Sequence, residues 1–240
     1  MVIGQNQKKN GLSFQEFKLE MHWPKPSLIL GINLMCLSRH PVWGITVPVW
    51  IKHLMNYRQM EKDFRSILIK AAGEMGLAMT DGQIALLEAY RETLLLWSAR
   101  MNLVSLKTEL DLPVRHFIDS LTLLPCLAAG SGTLLDIGSG AGFPAIPVKI
   151  FRKDLHVTLL EASRKKCSFL KEVIRRLGLR DVAVLNCRLE EMLKKDPRPS
   201  YDWIVSRATL KLPELVELGI PLLKPGGILA EKSSSRSRSP

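Results

Sequence analysis

Three glycines at alternate positions, Gly138, Gly140 and Gly142, separate two apolar runs in TLLDIGSGAGFP, residues 133–144. The run before them, Thr133 to Ile137, suits a strand and carries one carboxylate, Asp136. The run after them, FPAIPVKIF, is marked by prolines and suits a helix. Strand, glycine loop and helix form the opening unit of a fold that binds nucleotide-like ligands. Glycine is needed because a tight strand-to-helix turn takes positive φ and lets a ligand touch the main chain. Pro144 suits a first helical turn, where its missing N–H costs nothing.

Spacing narrows the ligand. A dinucleotide site wants G-x-G-x-x-G with pyrophosphate at the helix N-terminus. That spacing puts Phe143 where the third glycine would stand. The observed G-x-G-x-G suits a ligand without phosphates, in which the backbone wraps an amino-acid portion and a nucleoside. S-adenosylmethionine is such a ligand, and the spacing disfavours an NAD-dependent dehydrogenase. Glu161 lies 23 residues beyond Gly138, at the end of the second strand. A carboxylate there accepts from ribose hydroxyls in dinucleotide folds. A lone glycine loop can be only a turn, and Glu161 only a surface acid. The joint pattern argues against that reading.

The elements that must position these residues alternate. After the strand Thr133–Ile137 comes a helix over 143–151, then the strand HVTLLEA and the helix RKKCSFLKEVIRRLGL, which stops at Gly178. The strands VAVLNCR and DWIVSRA follow, then the helix LPELVELGIPLL and a fifth strand, GILAEK. Such alternation predicts a Rossmann-like α/β fold, a parallel sheet with helices on both faces. Ahead of it, residues 60–130 read as a helical cap. Phe64, Ile67, Leu68 and Ala71 fall at helical spacing, Thr80 and Gln83 form a capping box, and Leu86, Leu87, Tyr90, Leu94 and Trp97 make one stripe. A further helical stretch spans 110–127. Residues 131–232 form the core.

The ends differ from this pattern. Residues 1–59 hold Trp23, Trp43 and Trp50 without a sustained period, so an atypical extension is expected there, with Met60 as the native start. Residues 233–240, SSSRSRSP, read as a disordered polar tail. A fold of this type continues past the fifth strand with a helix and an antiparallel pair. Their apparent loss is expected to leave the fifth strand as an exposed edge.

Bulk properties agree with a globular chain. Of its 240 residues 46% are hydrophobic, and the formal charge is +11. Residues 1–59 contribute +5, residues 60–232 contribute +4, and the tail adds +2. An anionic partner is therefore suggested mainly by the ends. The four cysteines, Cys36, Cys126, Cys167 and Cys187, show no CxxC spacing. Neither a zinc site nor a disulfide framework is indicated, and a reducing cytoplasm fits. No apolar run has the length of a membrane span.

Several stretches together resemble the RsmG (GidB) family, bacterial 16S ribosomal RNA guanine-N7 methyltransferases. They are MNLVSL at 101–106, RHFIDSL at 115–121, LLDIGSGAGFPAIP at 134–147, LLEASRKKCSFLKEV at 159–173, NCRLEE at 186–191, VSRA at 205–208 and LLKPGG at 222–227. Order and spacing match the family from Met60 to about Lys232. Ala145 stands where the family has glycine, and Ser98 where it has asparagine. The resemblance implies an S-adenosylmethionine site made by Gly138, Phe143, Leu189, Glu190 and Arg207, to which physical placement adds Glu161. It further implies 16S rRNA or the small ribosomal subunit as partner, a monomer, and a cytoplasmic location. A truncated, inactive or binding-only member of the same fold is the alternative.

Guanine N7 carries a lone pair and no proton, so its attack on a sulfonium methyl needs no general base, and no catalytic residue is assigned. Alignment of the reactants can supply about 7–11 kcal/mol in the best cases. His116 reads as a structural residue at the junction of cap and sheet, with Asp119 as its partner or as a helix cap. Arg115 and Arg207 offer planar donors to RNA phosphate or to a guanine edge. Function is favoured for Arg207, and Arg115 stays open. Arg164, Lys165, Arg175 and Arg176 lie on one helix face, which serves RNA or only solvent. Cys167 and Cys187 read as small core residues.

Overall fold

The computed structural model describes residues 2–8, 11–15, 64–104, 112–195, 198–207 and 209–232. Apolar runs alternate with helical stretches from Gly132 onward, and they fold as the sequence leads one to expect. Strands β3 (Gly132–Ile137), β4 (Leu155–Leu160), β5 (Val182–Leu185), β6 (Tyr201–Arg207) and β7 (Leu223–Lys232) are mutually parallel in the order β5-β4-β3-β6-β7. The crossovers carry helices α3 (Ala145–Phe151), α4 (Arg164–Leu177), α5 (Leu189–Lys195) and α6 (Leu212–Gly219). Successive strand residues point to opposite faces. Leu134 and Val205 accordingly enter one core cluster, Leu135 and Ile204 the other. Both faces are covered, as a parallel sheet requires.

The chain leaves β3 toward β4 and β5, then returns to β3's other side as β6. That reversal opens a crevice at the carboxyl ends of the strands. Register makes those ends level: Ile137 lies opposite Leu160 on one side and Ser206 on the other. The glycine loop, Glu161 and Arg207 therefore meet at one rim.

Helices α1 (Phe64–Glu74) and α2 (Asp81–Ser98) precede the sheet. The expected capping box is formed: Gln83 N donates to Thr80 Oγ1 at 3.2 Å, and Thr80 N donates to Gln83 Oε1 at 2.9 Å. Leu87, Tyr90 and Leu94 are buried, whereas Leu86 and Trp97 are only partly so. Helix α4 ends at Gly178, whose φ of 61° closes the turn. An aromatic group joins helices to sheet. Phe117 meets Phe64, Tyr90 and Phe143 edge-on, and Tyr90 stacks on Phe143 with centroids 5.1 Å apart.

Three expectations need correction. The last parallel strand is not an edge: β1 (Val2–Lys8) pairs antiparallel with β7 through Val2–Ala230, Ile3–Leu229 and Gly4–Ile228, and β2 (Gly11–Gln15) adds outside it. A row of unpaired N–H and C=O groups is a template for any available strand. Residues 1–59 thus do contain strand structure. Between 110 and 127, the structure has a π-helical turn, Pro113–Ile118, running into Asp119–Leu121, and a separate 3-10 turn, Leu124–Cys126. Strand β5 stops at Leu185 because Asn186 turns its Nδ2 to the carbonyls of Glu161 and Ala162, at 3.0 and 2.8 Å. Trp23, Trp43, Trp50, Met60 and the polar tail lie outside the described residues. Among the described residues, no helix is long and apolar enough to cross a membrane.

Replacing Thr80 by Ala removes the α2 cap and is expected to cost about 1 kcal/mol. A urea midpoint unchanged by Thr80→Ala would contradict the capping assignment.

Candidate functional site

The site grows from the loop between β3 and α3. Gly138, Gly140 and Gly142 have φ of 70°, 56° and 85°. Gly138 also has no room for a side chain, since a Cβ would lie 2.2 Å from Thr209 Cγ2. At Gly142 a Cβ would lie 2.4 Å from Ile146 Cδ1. At Gly140 the nearest atom is Gly138 O at 3.7 Å, so its face is open for close approach by a ligand. The Phe143–Pro144 peptide is cis, and Pro144 caps α3 rather than starting it.

Main-chain bonds anchor the loop to β4: the N–H groups of Gly138 and Ser139 both donate to Leu160 O, at 2.9 and 3.0 Å. Glu161, 8% exposed, then binds both flanks. Its Oε2 accepts from Gly140 N and its Oε1 from Ser163 N, each at 2.8 Å. A carboxylate has about four lone-pair sites, so about two remain for ligand hydroxyls. Tyr90 donates its hydroxyl to Ala141 O from the helical side, and Thr209 Oγ1 donates to Gly138 O at 3.3 Å. Burial raises the Tyr90 phenol well above its ordinary range, so it remains a donor.

Beneath the loop sits Asp136, 0% exposed. Neither carboxylate oxygen has a partner in full hydrogen-bond geometry, since Ser139 Oγ gives its proton to Asp136's main-chain carbonyl, although Ser139 and the Ala145 N–H lie near enough to favour the ionised acid. Burial pushes the acid up to about 8, with the Arg207 cation pulling the other way. Arg207 ends β6. Its Nη2 lies 2.8 Å from His116 Nδ1, its Nη1 3.8 Å from Asp119 Oδ2, and its Cζ 5.2 Å from the centre of the Phe143 ring. His116 and Asp119 thus share a contact with Arg207. Burial and Arg207 together lower His116 to about 4. Burial also lowers Arg207, though a guanidinium stays charged.

Of the residues expected from sequence, Gly138, Phe143, Glu161 and Arg207 converge on this rim. Phe143 is 3% exposed, and its ring forms an internal wall between Tyr90, His116 and Arg207. Leu189 is buried in the cluster of Leu135, Ile137 and Leu160, next along the same edge, and Glu190 beside it is exposed. Sequence reading missed the roles of Tyr90, Thr209 and Asp136. The basic face of α4 is partly spent on ion pairs, Arg175 with Glu172 at 2.7 Å and Arg176 with Glu92.

The donor set can be tested against the ligand classes. The Glu161 carboxylate beside the loop disfavours a pyrophosphate and suits a pair of hydroxyls. The buried Asp136 acid suits an ammonium, whose charge would draw off its proton, and Arg207 suits a carboxylate. An orphaned Asp136 under an open Gly140 thus fits a zwitterionic amino acid joined to a nucleoside, which is the make-up of S-adenosylmethionine.

Comparison with known proteins agrees. Residues 83–238 match the model of the GidB family, described as rRNA small subunit methyltransferase G. The ribosomal RNA small subunit methyltransferase G of Syntrophus aciditrophicus is 45% identical over 162 residues, covering 67% of this chain and 67% of that protein. The protein of that description from Acetivibrio thermocellus is 39% identical over 179 residues, covering 74% of each chain. That from Geotalea uraniireducens is 42% identical over 170 residues, covering 71% of this chain and 77% of its own.

Asp136 sets a pH dependence whose sign follows from its raised value. Between its ordinary 3.8 and about 8, the folded protein holds a proton that the unfolded chain has lost. Stability therefore falls as pH rises across that window. Asp136→Asn is expected to remove this slope, so that the variant gains on the parent by a few kcal/mol, as an order of magnitude, between pH values of about 5 and 8.5. Urea unfolding at both pH values gives the comparison, and a difference that does not change with pH contradicts it.

Proposed function

The chain belongs to the GidB family, rRNA small subunit methyltransferase G, and from that membership we propose that it transfers a methyl group from S-adenosylmethionine to N7 of a guanine in 16S ribosomal RNA. What carries the cofactor reading is the buried Asp136 acid, without a partner in full hydrogen-bond geometry, beneath an open glycine loop. Asp136 takes the ammonium of the cofactor's amino-acid end, and Arg207 its carboxylate. The main chain from Gly138 to Phe143 wraps that end. Glu161 accepts the ribose hydroxyls on its remaining lone pairs. Leu189 packs on the adenine, and Glu190 takes its edge.

When bound, the cofactor supplies an electrophilic methyl on a positively charged sulfur. A guanine N7 lone pair would take that methyl directly. No proton moves, so none of these side chains acts as acid or base. Their work is to hold the methyl in line with N7 and to keep water out. The neutral His116 and the protonated Tyr90 are consistent with chemistry that needs no base.

Residues 60–130 serve as the cap and 131–232 as the methyltransferase core. The partner is the small-subunit RNA, met by a monomer in the cytoplasm where that RNA is assembled. Exposed cations at the start of α4, Arg164 and Lys165, lie on the Glu161 side of the rim and draw RNA phosphates toward it.

Calorimetry with S-adenosylmethionine and with NAD separates the cofactor classes: heat is expected with the first and none with the second. Methyl transfer from labelled cofactor to small-subunit RNA lacking the modification tests the reaction, and Arg207→Ala is expected to lower it by about tenfold or more. Label that appears at an undiminished rate in Arg207→Ala removes that residue from the site.

A further inference from the structure

The stretch R-H-F-I-D-S at 115–120 belongs to neither the glycine loop nor the strand ends. The cofactor reading leaves it without a role. It folds as the π-helical turn and its continuation, a wide backbone form often found at functional sites. His116 and Asp119, three residues apart, both reach Arg207. We propose that His116 is a positioning residue for the methyl transfer: it holds the Arg207 guanidinium in the orientation the cofactor needs, with Asp119 opposite the other end of the fork. This rests on the assignment of Arg207 to the cofactor.

The direction of the contact is fixed by chemistry. Arginine has no acceptor, so Arg207 Nη2 donates and His116 Nδ1 accepts, at 2.8 Å. The imidazole must then be neutral, with its proton on Nε2. Its lowered affinity for protons, from burial first and Arg207 second, keeps it so at neutral pH. Asp119 Oδ2 stands 3.8 Å from Nη1, and the Phe143 face lies 5.2 Å from Cζ. The guanidinium is thus hydrogen-bonded at Nη2, faces an acid from Nη1 and is covered on one face. The hydrogens turned away from His116 are left for a ligand.

A residue that merely filled this space would need no acceptor. The His116 ring does pack on Phe143, with centroids 5.1 Å apart, and phenylalanine would serve that purpose as well. Only the Arg207 bond calls for a lone pair at that position. Neither partner is visible from the other in sequence, since they stand 91 residues apart.

The test is a double-mutant cycle on the full chain, read as the dissociation constant of S-adenosylmethionine by calorimetry and as kcat and KM for small-subunit RNA. His116→Phe is expected to weaken cofactor binding by about tenfold, the worth of a hydrogen bond to a charged group. The RNA KM should stay within about twofold. His116→Asn, which returns an acceptor near the Nδ1 position, should recover most of the loss. In an Arg207→Met background, His116→Phe should add less than about twofold, because two residues acting through one contact are not additive. Undiminished cofactor binding by His116→Phe overturns the proposal. So does His116→Asn being as weak as His116→Phe, or His116→Phe costing as much in Arg207→Met as in the parent. A parent protein that binds no S-adenosylmethionine at all overturns the cofactor assignment itself, and is told apart by that single measurement.

Discussion

One buried carboxylate holds the rim together. Glu161 accepts from Gly140 N on the loop and from Ser163 N at the start of α4. Its main-chain carbonyl takes Asn186 Nδ2 and Cys167 Sγ at 3.0 and 3.2 Å. The glycine loop, the start of α4 and the residue after β5 are thus tied at one residue. Burying a carboxylate without partners costs several kcal/mol, so these bonds are a condition of the fold as well as of the site. Ser163 continues the link by capping α4. The loop is then pinned on its other flank by the Tyr90 hydroxyl and the Thr209 side chain. A ribose on Glu161 would meet a loop already in place, with little ordering left to do.

Charge around that joint is arranged in opposition. Asp136 is buried without a partner in full hydrogen-bond geometry, Arg207 is half-buried with two, and His116 is kept neutral between them and the solvent. An orphaned acid is a cost that the fold bears in the absence of a ligand. A zwitterion that brings an ammonium to Asp136 and a carboxylate to Arg207 relieves that cost. Such a site asks for no side chain poised as a base. Attack by a lone pair needs only placement and the exclusion of water.

Much of this was legible in the sequence, for local reasons. Alternating apolar runs and helical stretches fixed the parallel sheet, and the glycines with Glu161 at a set offset marked the crevice. Thr80 and Gln83 announced the α2 start three residues apart. What escaped was non-local. Tyr90 sits in an apolar stripe, and nothing in its spacing says that its hydroxyl reaches Ala141. Asp119, one turn from His116, read as its partner or as a helix cap, and nothing in that spacing says that both reach an arginine from another element. Pairing of Val2–Gly4 with Ile228–Ala230 joins opposite ends of the chain and leaves no local mark. Phe143 read as a loop contact, yet its ring is a wall shared by the helices and the sheet.

The account depends most on Glu161 as the joint between loop, sheet and α4. Amide hydrogen exchange at Gly140 and Ser163, in the parent and in Glu161→Ala, measures that directly. The expected result is protection at both amides in the parent and its loss in the variant, while the amides of β3 and β4 stay protected. Equal protection of Gly140 and Ser163 in both proteins would contradict it.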